Sequence, residues 1–167
     1  MNILSAGILV YKTNDKAHLE VLLAHPGGPF FAKKDQGVWS IPKGEYHQDE
    51  TALEAAKREF QEEIGQSVPE GDFLDLGEIK RRDGKVISVW AISGDIDITK
   101  VKSNQFSMEW PPHSGQQQSF PEVDRAAWFS LPEAALKLSS GQSVFLDRLA
   151  EQLGFDPPII PSQAQLL

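Results

Sequence analysis

The chain has 167 residues, 40% of them hydrophobic, and no cysteine. These numbers suit one packed domain and exclude global disorder, a disulfide framework, thiolate metal sites and a cysteine nucleophile. The net charge of −8 makes long nucleic acid a poor partner, because a groove for DNA or RNA needs a basic field. A small anionic ligand stays open to such a chain if a cation is placed locally, and a divalent metal is the obvious one. No apolar run approaches the ~20 residues that cross a bilayer, so no membrane partner is expected. The opening MNILSAGILVYK has no basic region and no cleavage site, and reads as a strand rather than a signal peptide. The expected location is the cytoplasm.

In chain order, residues 5–12 (SAGILVYK) predict a strand and 19–25 (LEVLLAH) its hairpin partner. PGGP at 26–29 interrupts that ladder. GVWSIP at 37–42 predicts a short strand or extended segment leading into Lys43 and Gly44. A helix follows over 52–64, with Thr51 as N-cap, Glu54 completing a capping box, and Gly65 as its stop. Residues 72–82 and 85–93 predict two strands around Asp83-Gly84, read as a two-residue hairpin turn. The polar stretch 103–124, with three prolines, predicts mostly loop. Residues 125–131 predict a last strand, and 132–138 and 143–153 two helices, the second anchored by Val144, Leu146, Leu149 and Leu153. Residues 1–155 are expected to form a single domain, and 156–167 a Pro-rich tail that is extended or frayed. Hairpins mixed with helices, without repeated βαβ units, give a mixed sheet flanked by helices, of the α/β class.

The helix at 52–64 carries an unusual load. Leu53, Ala56, Phe60 and Ile64 share one stripe, which must face a core. Glu59, Glu62 and Glu63 have the spacing i, i+3, i+4 and share another face. Ala55, one turn before Glu59, is small enough to leave room for something to approach. Arg58 can pair with Glu62 or with Glu50, which precedes the helix. Charged helix faces are usually solvated surface, and three glutamates alone would be read that way. The alternative is three hard oxygen donors on a fixed helix.

The stretch from Gly44 to Gln66 resembles the signature of the Nudix hydrolases. Gly44, Glu50, Arg58, Glu59, Phe60, Glu62, Glu63 and Gly65 match in type and register. Gln66 departs, standing where the family has an apolar residue. AGILVY before the motif and FPEVDRAAWFSLPEA after it look like the family's first strand and closing strand-to-helix segment. The resemblance implies an α/β/α sandwich with a mixed central sheet and the motif as loop–helix–loop at its edge. It also implies a metal-dependent pyrophosphohydrolase using Mg²⁺ or Mn²⁺ on a nucleoside diphosphate-linked small molecule, such as a nucleoside triphosphate or dinucleoside polyphosphate.

By the same resemblance Glu59 and Glu63 are metal ligands, with Glu62 next and the Gly44 carbonyl adding a donor. Arg58 orients a carboxylate and Glu50 is its partner. The general base is a motif glutamate, Glu62 or Glu63, or a residue in a distant loop, for which Glu122 is the candidate and Glu109 the weaker one. Lys43, beside the motif, is the candidate for holding a phosphate. Lys33, Lys34 and the cluster Lys80, Arg81, Arg82 and Lys85 are further cations, the cluster reading first as a solvated turn. Tyr46, Trp39, Trp110 and Phe120 could stack on a base; Trp39 and Phe120 could equally be core. None of the four histidines has a convincing partner spacing, and His47 should be exposed. Within the enzyme reading, an RNA 5′-end pyrophosphohydrolase is disfavoured by the charge of −8, and two readings stand beside it: a non-catalytic nucleotide-binding regulatory module on the same fold and a structural acidic helix. The intact carboxylate set favours the enzyme.

Overall fold

A computed structural model describes residues 3–158. Of the tail read at 156–167, residues 159–167 lie outside these residues. The centre is β1 (Ile3–Thr13), whose middle six residues are buried. It reads as a continuous apolar run because both faces of the sheet are covered. Ala6, Ile8 and Val10 face one cluster, and Leu9 faces the other, as strand alternation requires.

The strands are β2 (Leu19–Pro26), β3 (Lys43–Tyr46), β4 (Leu74–Lys80), β5 (Lys85–Ser93) and β8 (Val123–Ser130), giving the order β4-β5-β1-β2-β8 with β3 also paired to β1. β1 and β5 run parallel and the other pairs antiparallel, so the sheet is mixed. α1 (Ala52–Ile64) covers one face through Ala55, Ala56, Phe60 and Ile64. α2 (Leu131–Lys137) and α3 (Val144–Leu153) cover the other with Leu131, Ala134, Phe145, Leu146 and Leu149. The result is the expected α/β/α sandwich.

α1 has the bounds read from the sequence, with both halves of the Thr51–Glu54 capping box formed and Gly65 left-handed at φ 76°. Leu53, placed on its core stripe, is only partly buried, whereas Ala55 is fully buried. Protein therefore fills the space that Ala55 was expected to leave open.

Four further expectations differ from the structure. Residues 103–124 are not mostly loop: β6 (Gln105–Glu109) and β7 (Gln117–Pro121) pair as a separate two-stranded sheet. Both strands are polar and largely exposed, so no apolar alternation marks them. The turn at Asp83-Gly84 is longer than two residues. The Arg81 N–H donates to the Lys85 carbonyl and the Gly84 N–H to the Arg81 carbonyl, and of the turn residues only Gly84 has positive φ. That is a turn with a glycine bulge, where a two-residue turn needs positive φ twice. β8 ends at Ser130, not at Leu131, because the Ser130 side chain accepts from the Glu133 N–H and starts α2. On α3, Val144 is 38% exposed, and Phe145 takes the buried place assigned to it.

Candidate active site

Both ends of α1 are fixed, so its side chains are well positioned. At its C-terminal end the Gly65 N–H donates to the Gln61 carbonyl at 2.8 Å, Lys102 to Ile64 at 3.0 Å and Asn104 to Glu62 at 2.9 Å. These bonds satisfy carbonyls that a helix end leaves free, next to Glu59, Glu62 and Glu63. Gln66, the departure from the motif, donates its amide to the Asp97 carbonyl at 2.9 Å and accepts from the Asp97 N–H at 3.3 Å. A polar clip stands where the motif has an apolar residue.

Arg58 is the hub of the site. Its Nη2 and Nε donate to the two oxygens of Glu50 at 2.7 and 3.2 Å. This forked, charge-assisted pairing is the strong geometry for guanidinium and carboxylate. Nη1 donates to Glu59 Oε1 at 2.8 Å and to Glu62 Oε1 at 3.2 Å. One guanidinium thus ties the loop carboxylate to two helix carboxylates. Glu50 raises the Arg58 pKa above its ordinary value, and Arg58 lowers that of Glu50.

The second oxygen of Glu59 lies over Gly44. A Cβ added at Gly44 would fall 2.0 Å from Glu59 Oε2, so only glycine lets β3 and this carboxylate meet. Glu59 is 9% exposed. Burial raises its pKa, with the charges of Glu62 and Glu122 adding and Arg58 opposing. Burial pushes Glu63 up to about 8; Lys43 opposes the shift, and Glu59 and Glu122 reinforce it. Glu122 is also raised, by burial and then by Glu62.

Glu122 therefore belongs to the same electrostatic group as the helix glutamates, though far away in sequence. A short backbone ladder brings it there. The Glu122 N–H donates to the Asn104 carbonyl at 2.9 Å, the Gly27 N–H to the Glu122 carbonyl at 2.9 Å, and Asn104 itself is tied to Glu62. Glu109 is elsewhere employed: its Oε1 accepts from the His113 N–H at 2.7 Å and closes the β6–β7 loop.

Among the described residues, no three carboxylate or imidazole groups already converge as a metal cluster. Arg58 draws Glu59 and Glu62 toward itself instead. The donor set nevertheless fits a hard divalent cation. It is all oxygen, burial and then the neighbouring carboxylate charges raise three of its pKa values, and Gly44 holds a carboxylate against backbone. Mg²⁺ prefers oxygen ligands and needs only a few from protein. Glu59, Glu62, Glu63 and the Gly44 carbonyl are the groups that could hold it.

The remaining candidates separate. Lys43 is half-buried on β3. Burial lowers its pKa, the Glu63 charge raises it, and Lys85 and Arg81 lower it further, so anionic and cationic neighbours meet there. Tyr46 packs against the core on the α1 side and is only partly available. Trp39 is core: 3% exposed, with its Nε1 donating to Asp35 at 2.8 Å. Phe120 packs on Phe106 at 6.0 Å, while Trp110 meets Phe30 edge-on at 5.6 Å. Lys33, Lys34 and His47 are exposed.

His25 was missed. It is fully buried, with Nδ1 2.8 Å from Asp124 Oδ1 and Nε2 2.7 Å from the Lys34 carbonyl. A carbonyl only accepts, so Nε2 carries a hydrogen. His25 pins the segment after β2 to β8, beside Glu122. Asp124 lies 99 residues away, so no local spacing could reveal the pair.

Fold and motif together define the Nudix hydrolases, a class acting on phosphorus-containing anhydrides. The chain belongs to the NUDIX domain family, whose model matches residues 1–149. Solved structures with the same fold include the NUDIX domain of Shewanella oneidensis NrtR complexed with ADP ribose. It is 17% identical, covers 92% of this chain and 89% of its own, and has a TM-score of 0.61. A Caenorhabditis elegans Ap4A hydrolase is 19% identical, with coverage of 91% and 98% and a TM-score of 0.59. A MutT protein from Methanosarcina mazei Go1 is 20% identical, with coverage of 91% and 95% and a TM-score of 0.57. At these identities the likeness is one of fold. No curated protein sequence matches the chain.

Proposed function

We propose that the protein is a divalent-metal-dependent hydrolase that cleaves a pyrophosphate bond in a nucleoside diphosphate-linked small molecule. The observation that carries this reading is the oxygen cluster on α1. Glu59, Glu62 and Glu63 sit on a helix fixed at both ends; Arg58 bridges Glu59 and Glu62 to Glu50, and Glu59 is set against Gly44. Arg58 compensates part of this crowding of carboxylates, and a second cation would relieve the rest. Likeness in fold to an Ap4A hydrolase and a MutT protein supports nucleoside triphosphates and dinucleoside polyphosphates as the substrate range. A cytoplasmic location belongs to this reading, and the cysteine-free composition is compatible with it. Residues 1–155 act as the single catalytic domain in this reading.

The roles come from the motif, and the contacts support them. Glu59, Glu62 and Glu63, with the Gly44 carbonyl, would hold Mg²⁺ or Mn²⁺, and such an ion would neutralise phosphate charge and lower the pKa of water. Arg58 and Glu50 fix the carboxylate rotamers, the usual work of groups behind a metal site. Lys43, beside Glu63, binds a phosphate oxygen of the substrate. A water oxygen forms a bond to phosphorus and the bridging P–O bond breaks. Glu62, Glu63 or Glu122 takes the proton, and the cleaved bridging oxygen leaves with the departing phosphate.

Purified protein with Mg²⁺ or Mn²⁺, offered dinucleoside polyphosphates, nucleoside triphosphates, nucleotide sugars and dinucleotides, should release products separable by chromatography. Binding of these compounds with no turnover of any would instead mark a nucleotide-binding regulatory module.

A further inference from the structure

β8 changes phase beside Glu122. Ala126 and Trp128 pack on the α1 side of the sheet, Ala127 and Phe129 on the other. Strict alternation would send Val123 to the other side as well, yet it packs in the α1 cluster. The reason is a bulge. His25 pairs with Arg125 and Pro26 with Val123, so Asp124 is an extra residue with no partner on β2. A one-residue slip that removed the bulge would turn Val123 and Glu122 to the opposite faces. Glu122 depends on the phase it has. Its N–H donates to the Asn104 carbonyl at 2.9 Å, and the Asn104 N–H donates to the Glu62 carbonyl at 2.9 Å, so its backbone lies two hydrogen bonds from α1.

The buried His25 ring holds Asp124 in this extra place. It stands edge-on to Trp39 at 5.0 Å, on the side of the sheet away from α1. Nδ1 is 2.8 Å from Asp124 Oδ1, and Nε2 donates to the Lys34 carbonyl at 2.7 Å. One ring hydrogen is committed to that carbonyl, so the Nδ1 contact needs a second. Imidazole is a stronger base than carboxylate, which puts the second hydrogen on Nδ1 and makes the ring an imidazolium. Few other charges face the pair. From β8, Arg125 approaches the same Asp124 oxygen at 3.7 Å, and its guanidinium lies over the Trp39 ring, 5.2 Å from the centroid. Asp35, beyond Trp39, is engaged by the Trp39 Nε1–H and by Lys137. Lys34 offers the ring its carbonyl, while its ammonium lies over Phe31. The chain that follows the ring is fixed as well. The Gly27 N–H donates to the Glu122 carbonyl at 2.9 Å, and a Cβ at Gly27 would fall 1.9 Å from the Pro121 carbonyl oxygen.

We infer that His25 and Asp124 are positioning residues for Glu122. Their ion pair locks the β8 bulge, and the bulge sets the face from which Glu122 leaves the strand. Gly27, two residues after the ring, carries the same lock to the Glu122 carbonyl. Neither side chain touches the reacting atoms. The effect on turnover rests on the proposed function, whereas the lock itself can be measured without turnover.

The test uses the full-length protein with D124A, D124N and E122Q/D124A. D124A removes the partner of the ring at a side chain that is 26% exposed, so the fold should persist. D124N is the rescue: an asparagine amide donates to Nδ1 of a neutral ring, and the Nε2–H still reaches Lys34. Amide hydrogen exchange reads the lock. In D124A the Gly27 and Glu122 amides should exchange at least about tenfold faster while β1 keeps its protection, and D124N should restore most of the loss. Nitrogen NMR should find hydrogen on both His25 ring nitrogens in wild type and on Nε2 alone in D124N. With metal and a dinucleoside polyphosphate, D124A should lower kcat by about 10–100-fold and leave KM within about twofold. E122Q/D124A should be no slower than E122Q, because the pair acts through Glu122. Unchanged exchange in D124A overturns the lock, and exchange in D124N as fast as in D124A overturns its hydrogen-bond basis. A neutral ring in wild type overturns the imidazolium. Losses that multiply in the double variant overturn the path through Glu122. A lock that behaves as expected in a protein that hydrolyses nothing refutes the proposed function and leaves the placement of Glu122 by His25 standing.

Discussion

The carboxylates of α1 and the cations of the β4–β5 turn are both dense runs of one charge, yet the structure treats them oppositely. Glu59 is buried, its helix is clamped at both ends, and Arg58 links its oxygens to those of Glu50 and Glu62. Arg81 and Arg82 stand on an exposed turn, and Arg82 has no ion pair among the described residues. Charge density alone does not distinguish the two. Packing does, because a charge held in place by a core stripe cannot escape its neighbours by moving into water. The first region keeps its charges crowded together and the second lets them spread into solvent, and Lys43 feels both, Glu63 from the first and Lys85 and Arg81 from the second.

Breaking the first region should have the largest effect. E63Q should lower turnover by about 10²–10⁴-fold, in keeping with losing a metal ligand or general base, while the fold persists. Circular dichroism alongside the rate measurement checks both halves. Wild-type rates in that variant would remove Glu63 from the site.

Removing the hub comes next. R58A frees Glu50, Glu59 and Glu62 at once, and should cost about 10–100-fold in metal affinity or activity. R58K should recover only part, since a lysine cannot reproduce the forked pairing. Full recovery by lysine would mean that charge, not orientation, is what Arg58 provides.

The pH dependence of stability sharpens the contrast between the regions. Glu63 is raised to about 8 in the folded protein from an ordinary 4.5, and Glu59 and Glu122 are raised too. The folded state then holds protons that the unfolded state has released. The stability they contribute is fully present below the ordinary carboxylate range and is lost as pH rises through about 8. Metal-free protein should melt at progressively lower temperature from pH 5 to about 8, E63Q should flatten that slope, and Mg²⁺ at the alkaline end should reverse it. A metal-free melting temperature that rises over that range would contradict the burial of these charges.

The smallest effect expected is at the helix start. T51A removes the capping-box acceptor of α1 and should cost about 1 kcal/mol of stability. Thermal melting measures it. A loss of activity far larger than this stability cost would show that the cap positions the carboxylates as well as starting the helix.

Much of the first region was legible because its signals are local. Thr51, Glu54 and Gly65 mark the ends of α1 without reference to the rest of the chain, and the glutamate spacing follows once the helix is placed. The Glu50–Arg58 pair spans only eight residues. What stayed hidden is non-local or featureless. The proximity of Glu122 to the helix carboxylates depends on a ladder through Asn104 and Gly27. His25 and Asp124 meet across the β2–β8 pairing. The β6–β7 hairpin is polar on both faces, so it gives no alternation to read. Ala55 appears as a small residue beside Glu59, and only the packing of α1 shows that its surroundings are filled. Lys43 could be suspected from its place beside Gly44, but its position between two fields of opposite sign needed β3 and β5 to be set on either side of β1.

The central claim is that the glutamates of α1 hold a divalent cation. Titrating the protein with Mn²⁺ and following the free-ion signal by electron paramagnetic resonance tests it most directly, in wild type and in E59Q/E63Q at a pH above 8. The expected result is that wild type removes Mn²⁺ from the free signal and the double variant does not. Equal uptake of Mn²⁺ by both proteins would contradict the claim.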